Sequence, residues 1–560
     1  MAANQSQPLR PAPFSAPAWQ LAPGLIIALA LIGLVLLGLG ALLHTAGTLE
    51  FEELWQSRYL RGVVWFTVWQ AVLSVFLSLL IALPVAMTLA RLSHFPGRSL
   101  LLRLMELSLV LPTIVAVSGI IGVYGRQGWL TSLLNDWLPD HGWSLYGLNG
   151  ILLAHVFFNA PLAARILLQA LESVPAPRLR VASQLGLSGW WLWRTVRWPA
   201  LRPVLPGVSA LVFTLCFTSF AIIMTLGGGP RATTLEVAIY QALRFEFDFG
   251  QAAILATIQL VICGSLWWLV FRNRLESSLL PDRRFAEPVS LKDSPGQGLG
   301  RVLLLGIFSA FLTLPLLAIA LRGLQALWPA SPMPSIYGQL LPATGRSLLI
   351  AVPAGLGAVV ASLFTLAAAN KSGNRILAAI PVTTGYLPLI VPPLVLGTGL
   401  FLLLRPQLGN SAQGWVLVSM INGLMAIPFV LQVLRGPLNA IDKNTLNQAD
   451  QLGILGWYRW RWLYWPRLRR PIALGLAYGI ALSLGDFGVI ALFGSPGQPT
   501  LPVLLYQQLG SYRISEAAGT GLWLLVLLVT LFALLSRVAR PAPGTNTEPA
   551  PAAAPEPRHA

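Results

Sequence analysis

Lysine is almost missing from this chain. Lys292, Lys371 and Lys443 are the only three in 560 residues, and none follows the glycine of a Gly-x-x-x-x-Gly-Lys-Ser/Thr loop. A nucleotide-hydrolysing P-loop is thereby excluded. Cysteine is scarcer still: Cys216 and Cys263 both lie inside apolar segments, where a thiol behaves as a small hydrophobe. Two such residues supply neither a disulfide framework nor a metal-ligand set. His-Glu-x-x-His, nucleophile-elbow and Cys-x-x-Cys patterns are absent as well, so no catalytic residue and no metal site is expected. Charge is the last shortage. Asp, Glu, Lys and Arg fill 10% of positions against 55% hydrophobic residues, a balance far from that of a water-soluble domain.

What is present is a series of apolar runs, many near the roughly 20 residues that cross a bilayer core. They predict an all-α polytopic membrane protein of about twelve spans, near 21–43, 63–90, 104–123, 147–170, 205–225, 250–271, 301–323, 345–368, 378–404, 415–435, 472–492 and 517–536. Leu21–Leu43 is expected to be an uncleaved first span, since only Arg10 precedes it and no small-x-small site follows. The formal charge of +17 does not indicate a nucleic-acid partner, because the arginines sit in short loops between apolar runs and no long basic run exists. With a cytoplasmic N-terminus, one face collects roughly 25 Lys and Arg against about 6 on the other, which predicts that both termini are cytoplasmic. Arg272–Gly300 is hydrophilic and carries Pro288 and Pro295. The expected organisation is an N-terminal tail (1–20), a first transmembrane unit (21–284), a linker (285–300), a second unit (301–538) and a disordered Pro- and Ala-rich tail (539–560).

One segment occurs twice. Arg180–Pro199 (RVASQLGLSGWWLWRTVRWP) aligns without a gap on Asn447–Pro466 (NQADQLGILGWYRWRWLYWP), about 267 residues apart. At the same offset Pro161 meets Pro428, Phe220 meets Phe487 and Gly227 meets Gly494, and Thr234–Gln241 matches Thr500–Gln507 after a slip of one residue. The offset encloses six spans, an even number, so the halves run parallel and both loops emerge on one face. Two equivalent docking points suit a symmetric two-subunit partner. Gly186 and Gly453 are expected to interrupt short helices where positive φ or close approach is needed, and Pro199 and Pro466 to enter the next span's first turn. The tryptophans of both loops also suit a purely interfacial anchor, but anchoring alone does not require the same Ala-x-Gln-Leu-Gly spacing twice.

The loops resemble the EAA signature of permease subunits in binding-protein-dependent ABC importers. Ala182, Gly186, Val196 and Pro199 fall on that pattern in the first copy, and Ala449, Gly453, Leu463 and Pro466 in the second. The resemblance implies a type I importer permease fold of two parallel six-helix repeats in a bacterial inner membrane. It implies that the loops, with Gln184, Leu185, Gln451 and Leu452, seat in clefts of a separate cytoplasmic ATPase dimer, which uses the ATP, so that no cofactor is bound here. Arg180 and Asn447 stand where the signature's glutamate is expected. Segments such as Tyr124–Trp129 (YGRQGW), Gly150–Pro175, Leu226–Leu243, Gly485–Gly494 and Leu501–Arg513 are similar to the fused thiamine-transport permeases of Gram-negative bacteria. That similarity implies a periplasmic binding protein as partner and thiamine with its phosphate esters as cargo. Fused ferric-iron permeases share the architecture and stand as the alternative.

Inside the spans, Asp486 is an ionisable residue in an apolar run, and its counterpart is Ser219. Beside Phe220 and Phe487, one carboxylate would offer a thiazolium both charge and cation-π attraction. The other reading places Asp486 near the outer end of its span, capped by Gly485 and Gly488 or paired with an arginine of a neighbouring span. His155, Asn159 and Arg165 are expected to tie helices together, Glu106 to pair with Arg103 three residues earlier, and Gly227, Gly228 and Gly229 to form an outer turn. An ion-coupled secondary transporter has the same span count but requires a network of buried acids, for which only Asp486 qualifies. A membrane scaffold without transport activity does not account for the paired loops.

Overall fold

The computed structural model of the chain describes residues 22–538 apart from 48–51, 53–55, 93–94, 138–142, 230–231, 273–296, 329–334, 372–374, 405–412, 440, 442 and 495–496. The expected tails at 1–20 and 539–560, and the linker up to 296, lie outside the described residues. The first half is built from α1 (Ala22–Ala46), α2 (Arg58–Arg91), α3 (Arg98–Val110), α4 (Thr113–Tyr124), α5 (Leu148–Glu172), α6 (Ala176–Gln184), α7 (Leu205–Phe217), α8 (Ala221–Leu226), α9 (Leu235–Gln241) and α10 (Phe249–Arg272). The second half follows with α11 (Gln297–Leu327), α12 (Ser335–Lys371), α13 (Arg375–Thr384), α14 (Pro393–Leu404), α15 (Gln413–Asn439), α16 (Lys443–Gln451), α17 (Trp465–Gly485), α18 (Gly488–Phe493), α19 (Leu501–Gly510) and α20 (Ile514–Val538). No strand occurs among the described residues, as bilayer physics demands of a helical protein whose backbone groups must be satisfied internally.

Among the described residues, eight helices are long and apolar enough to cross a membrane, or eleven if each of three bent pairs is one span. The bends correct the linear reading. The expected span 104–123 is α3 and α4 folded at 116°, where Pro112 interrupts the run, and 378–404 is a pair bent by 98° ahead of Pro393. Proline lacks the N–H that would continue the ladder, so a run that is apolar throughout still turns. The segments 205–225 and 472–492 are also divided, the first at Thr218–Phe220 and the second at Asp486–Phe487. Linear hydropathy does not register such breaks.

The two halves repeat one packing scheme. α2 lies on α5 as α12 lies on α15, and α7 lies on α2 as α17 lies on α12. In both halves a hydroxyl of the long helix accepts the first amide of a short one: Leu235 N donates to Thr67 Oγ1 at 2.9 Å, and Leu501 N to Ser347 Oγ at 2.9 Å. The first helix of each half packs on the other half, α1 against α14 and α11 against α4. Small residues allow this exchange. A Cβ added at Gly399 would stand 1.8 Å from the Gly38 carbonyl oxygen, and one at Gly119 would stand 2.5 Å from that of Pro315. In lipid, where apolar burial gives helices little reason to associate, such close backbone approach supplies the van der Waals contact.

Ion pairs and ladder ends fix which face each end occupies. Gly147 N at the start of α5 donates to Leu226 O at the end of α8 (2.7 Å), while Arg98 at the start of α3 pairs with Glu172 at the end of α5 (2.7 Å). The end of α5 leads into the first loop, so Leu226 and the glycine turn after it lie on the opposite face. Along α17, Tyr478 lies near the Glu106–Arg165 pair and Gly485 lies against Pro112, so α17 runs alongside α3 in the same direction. Both arginine-rich loops therefore emerge on one face, as the even span count requires.

Candidate functional site

Each loop is a short helix, a glycine, one helical turn and a π-turn. In the first copy α6 is followed by Gly186, then Gly189–Leu192 and Trp193–Arg197; in the second α16 is followed by Gly453, then Gly456–Arg459 and Trp460–Tyr464. The helix ends are the same Schellman closure. Leu187 N donates to Ala182 O (2.9 Å) and Gly186 N to Ser183 O (3.1 Å); Ile454 N donates to Ala449 O (2.8 Å) and Gly453 N to Asp450 O (3.1 Å). Gly186 and Gly453 hold φ of +65° and +67°, a region that costs an L-residue about 1–2 kcal/mol. Glycine is therefore used here for its backbone, and a Cβ at either site would meet nothing within 4 Å.

The alanines have a different reason. Ala182 is 3% exposed and packs with Val174, Leu192 and Val196, and Ala449 is 6% exposed. They face inward and hold the helix down. Gln184, Leu185, Gln451 and Leu452 are exposed, and so are Trp190, Trp191, Leu455, Trp457, Tyr458 and Trp462. The result is two apolar, aromatic knobs on one face, larger than single exposed apolar residues need explaining. Where the signature's glutamate is missing, other groups brace the loops: Arg178 donates to Thr195 O (3.2 Å) in the first, and Arg459 pairs with Asp450 and donates to Ile454 O (3.1 Å) in the second. Burial raises the Tyr464 phenol above its ordinary value, with the Arg459 charge opposing, so this ring stays neutral and packs on Trp460 at 6.1 Å.

The prolines differ between copies. Pro466 enters the first turn of α17, as expected. Pro199 instead lies in the separate turn Trp198–Leu201, and the chain bends by 58° before α7, whose first turn holds Pro206.

From each loop a helix climbs to a break in mid-protein, and the two breaks meet. Phe220 stacks on Phe487 with centroids 5.6 Å apart; Tyr240 flanks Phe220 at 5.1 Å and Tyr506 flanks Phe487 at 4.6 Å. Four rings thus form one cluster where the halves meet, two from equivalent positions of each. Ser219 and Asp486, both half-buried, stand beside the paired phenylalanines in sequence. The Asp486 carboxyl faces the amides of Gly488, Val489 and Ile490 and the Asn422 side chain, while its Oδ2 atom is buried without a hydrogen-bond partner. These contacts place the carboxyl at the start of α18. The position of Asn422 is taken by His155 in the first half, whose Nδ1 lies 2.8 Å from Ser74 Oγ.

The other polar residues tie helices. Asn159 Nδ2 donates to Cys216 Sγ (3.2 Å), and Arg165 pairs with Glu106 at 2.8 Å. That bridge corrects the expected Arg103–Glu106 pair, since a partner from α5 links two helices where an i,i+3 pair would only decorate one. Glu236 escaped the sequence reading altogether. It is 1% exposed and accepts from Gln259 Nε2 at 2.8 Å; the signal available was an acid flanked on both sides by apolar residues of α9. Gly228 and Gly229 adopt φ of +71° and +128° in a turn, as expected.

The geometry agrees with what this chain is similar to. Residues 82–279 match the family described as binding-protein-dependent transport system inner membrane component. The thiamine transport system permease protein ThiP of Salmonella typhimurium is 42% identical over 530 residues, covering 93% of this chain and 97% of that protein. The ThiP of Escherichia coli K12 is 41% identical over 542 residues (95% and 98%), and that of Haemophilus influenzae 40% over 448 residues (79% and 82%). With two parallel helical repeats, paired loops on one face and near-complete coverage of such relatives, this chain belongs to the ThiP family of multi-pass inner-membrane transport permeases.

Proposed function

We propose that the chain is the translocation subunit of an ATP-driven importer that moves thiamine and its phosphate esters from the periplasm to the cytoplasm. The observation that carries this reading is the pair of superimposable loops, Gly186 and Gly453 at their turns, presenting exposed leucine and tryptophan on one face. A separate cytoplasmic ATPase dimer seats one loop in each protomer and supplies the ATP chemistry, and a periplasmic binding protein delivers cargo to the opposite face. Both termini are cytoplasmic in this arrangement. Closure of the ATPase draws the loops together. Each loop continues into a helix ending at the aromatic break, α7 in one half and α17 in the other, so a rigid-body tilt separates Phe220 from Phe487 and opens the path.

Ser219, Phe220, Asp486 and Phe487 line that path. The Asp486 oxygen left without a partner and the faces of the phenylalanines offer a thiazolium, permanently cationic, both charge and π contact. Glu236 with Gln259 is the feature an ion-coupled secondary transporter would use. ATP dependence separates the two readings. Proteoliposomes holding the chain with its ATPase and loaded binding protein should accumulate radiolabelled thiamine only with internal or external ATP on the ATPase side. Accumulation driven by a proton or sodium gradient alone overturns the proposal.

A further inference from the structure

On the face opposite the loops, the first half forms an open cleft of about 540 Å³, within the range of small-molecule sites. Its walls include Tyr59 at the start of α2, Met224 of α8, the turn Gly227–Gly229, Gln241, Phe245 and Glu246. Glu246 is the charged side chain among the described lining residues; Arg244 lies beside Tyr240, and Asp248 is engaged with Gln251 N at 2.9 Å.

The local backbone is unusual at the residues that carry the chemistry. Instead of continuing α9 regularly, the chain makes a π-turn over Ala242–Glu246 and ends it with Phe247 at φ +55°, Asp248 N donating back to Ala242 O at 2.9 Å. A bulky residue in the left-handed region is strained, and π-turns recur at functional sites. In the second half, α19 runs as a regular helix to Gly510 and is also followed by a bulky residue at positive φ, Tyr512 at +59°, so it is the π-turn that sets the first half apart here. The cavity also adjoins the aromatic closure. Phe245 meets Tyr240 edge to face at 5.8 Å, and Tyr240 meets Phe220 at 5.1 Å, which makes an unbroken file of rings from cavity wall to break.

We propose that this cavity is an outer vestibule site for a heteroaromatic cation, where the Glu246 carboxylate meets the charge and Tyr59 and Phe245 flank the ring, and that it holds free thiamine in preference to its phosphate esters. The inference rests on the thiamine reading above and adds a site and a selectivity to it. The selectivity follows from charge: a terminal phosphate brings about −1.5 to −2 at pH 7, which the same carboxylate repels.

The test is equilibrium binding of radiolabelled thiamine, thiamine monophosphate and thiamine pyrophosphate to the full chain with its ATPase in nanodiscs, without binding protein. Thiamine should bind saturably and most tightly of the three. Glu246→Gln should weaken it about tenfold, the order expected for losing one charge-assisted contact, and should narrow the gap to the pyrophosphate; Glu246→Asp should restore most of the affinity. Phe245→Leu should weaken binding several-fold and Phe245→Tyr should not. All four variants should insert and co-purify with the ATPase as one monodisperse complex with the wild-type melting temperature, which shows that they fold. Unaltered thiamine affinity in Glu246→Gln, or equal or tighter binding of the pyrophosphate, overturns the vestibule. If the wild-type complex transports thiamine but does not bind it alone, the vestibule falls and the importer stands. If it does neither, the thiamine reading falls with it.

Discussion

Substituting the turn glycines isolates what the loops contribute, because the two obvious changes act through different physics. Gly186→Ala adds one methyl where nothing lies within 4 Å, so the whole penalty within this chain is backbone: φ of +65° costs an L-residue about 1–2 kcal/mol. That makes the native turn roughly 5- to 30-fold less favoured against alternatives, while the buried Ala182, Leu192 and Val196 beneath it keep the helix in place. Gly357→Ala is the control, since Gly357 also has no neighbour within 4 Å but lies inside α12 without positive φ and is followed by alanine, where alanine is the better helix former by about 1 kcal/mol. Gly186→Asp and Gly453→Asp add to the same backbone cost a carboxylate beside exposed Leu185 or Leu452. Seated in a partner's cleft, that charge is buried without a counter-ion, at several kcal/mol. In proteoliposomes, ATP hydrolysis and thiamine uptake measured together should show Gly357→Ala unchanged, the loop-glycine Ala variants with reduced uptake per ATP, and the Asp variants with uptake reduced more than tenfold while the chain still inserts. Full uptake in either Asp variant refutes the coupling role of the loops.

Two further substitutions probe the path and the scaffold. Asp486→Asn keeps a side chain able to face the amides of Gly488–Ile490 but removes the charge; uptake of thiamine should fall several-fold with ATP hydrolysis little changed, and equal uptake would mean that Asp486 serves only as a cap. Gly399→Val places a branched side chain where a Cβ already stands 1.8 Å from Gly38 O, so α1 and α14 must separate; the purified protein should lose about 1–3 kcal/mol, read as a lower melting temperature in detergent, and an unchanged melting temperature refutes the close-packed crossing.

The parts of the fold carried by composition and repetition were legible before any coordinates. Apolar runs, the six-span offset and the Ala-x-Gln-Leu-Gly string lead directly to helices, parallel halves and loops on one face, and the positive φ at Gly186 and Gly453 is what a repeated glycine in that setting requires. The bends are a different matter. Pro112 and the segment ahead of Pro393 turn α3–α4 and the 378–404 run without changing their hydropathy. Contacts between distant elements were equally invisible: Glu106 finds Arg165 in another helix instead of Arg103 in its own, and the α1–α14 crossing depends on two glycines far apart in sequence. Glu236 was overlooked because its burial is created by α10 packing on α9 and no local pattern announces it.

The positions at which the halves agree and differ sort by distance from the loops. At the loop face the copies share the Schellman closure, the buried alanine and the π-turn that follows, so the chain offers two equivalent seats to a two-fold partner. At the break the aromatic rings are still paired, Phe220 with Phe487 and Tyr240 with Tyr506, but the polar residues are not: Ser219 stands against Asp486 and His155 against Asn422. On the far face both halves still place a bulky residue at positive φ, Phe247 and Tyr512, but the first reaches it through a π-turn and the second from a regular helix. This gradient is what the two tasks require. A two-fold motor acts best on two-fold levers, whereas a small cargo with a single cationic ring has no two-fold axis. A path that recognised it with two identical carboxylates would leave one of them unpaired in the membrane, at the cost an isolated intramembrane charge carries. Asp486 without an acidic counterpart is therefore the arrangement a monocationic cargo favours.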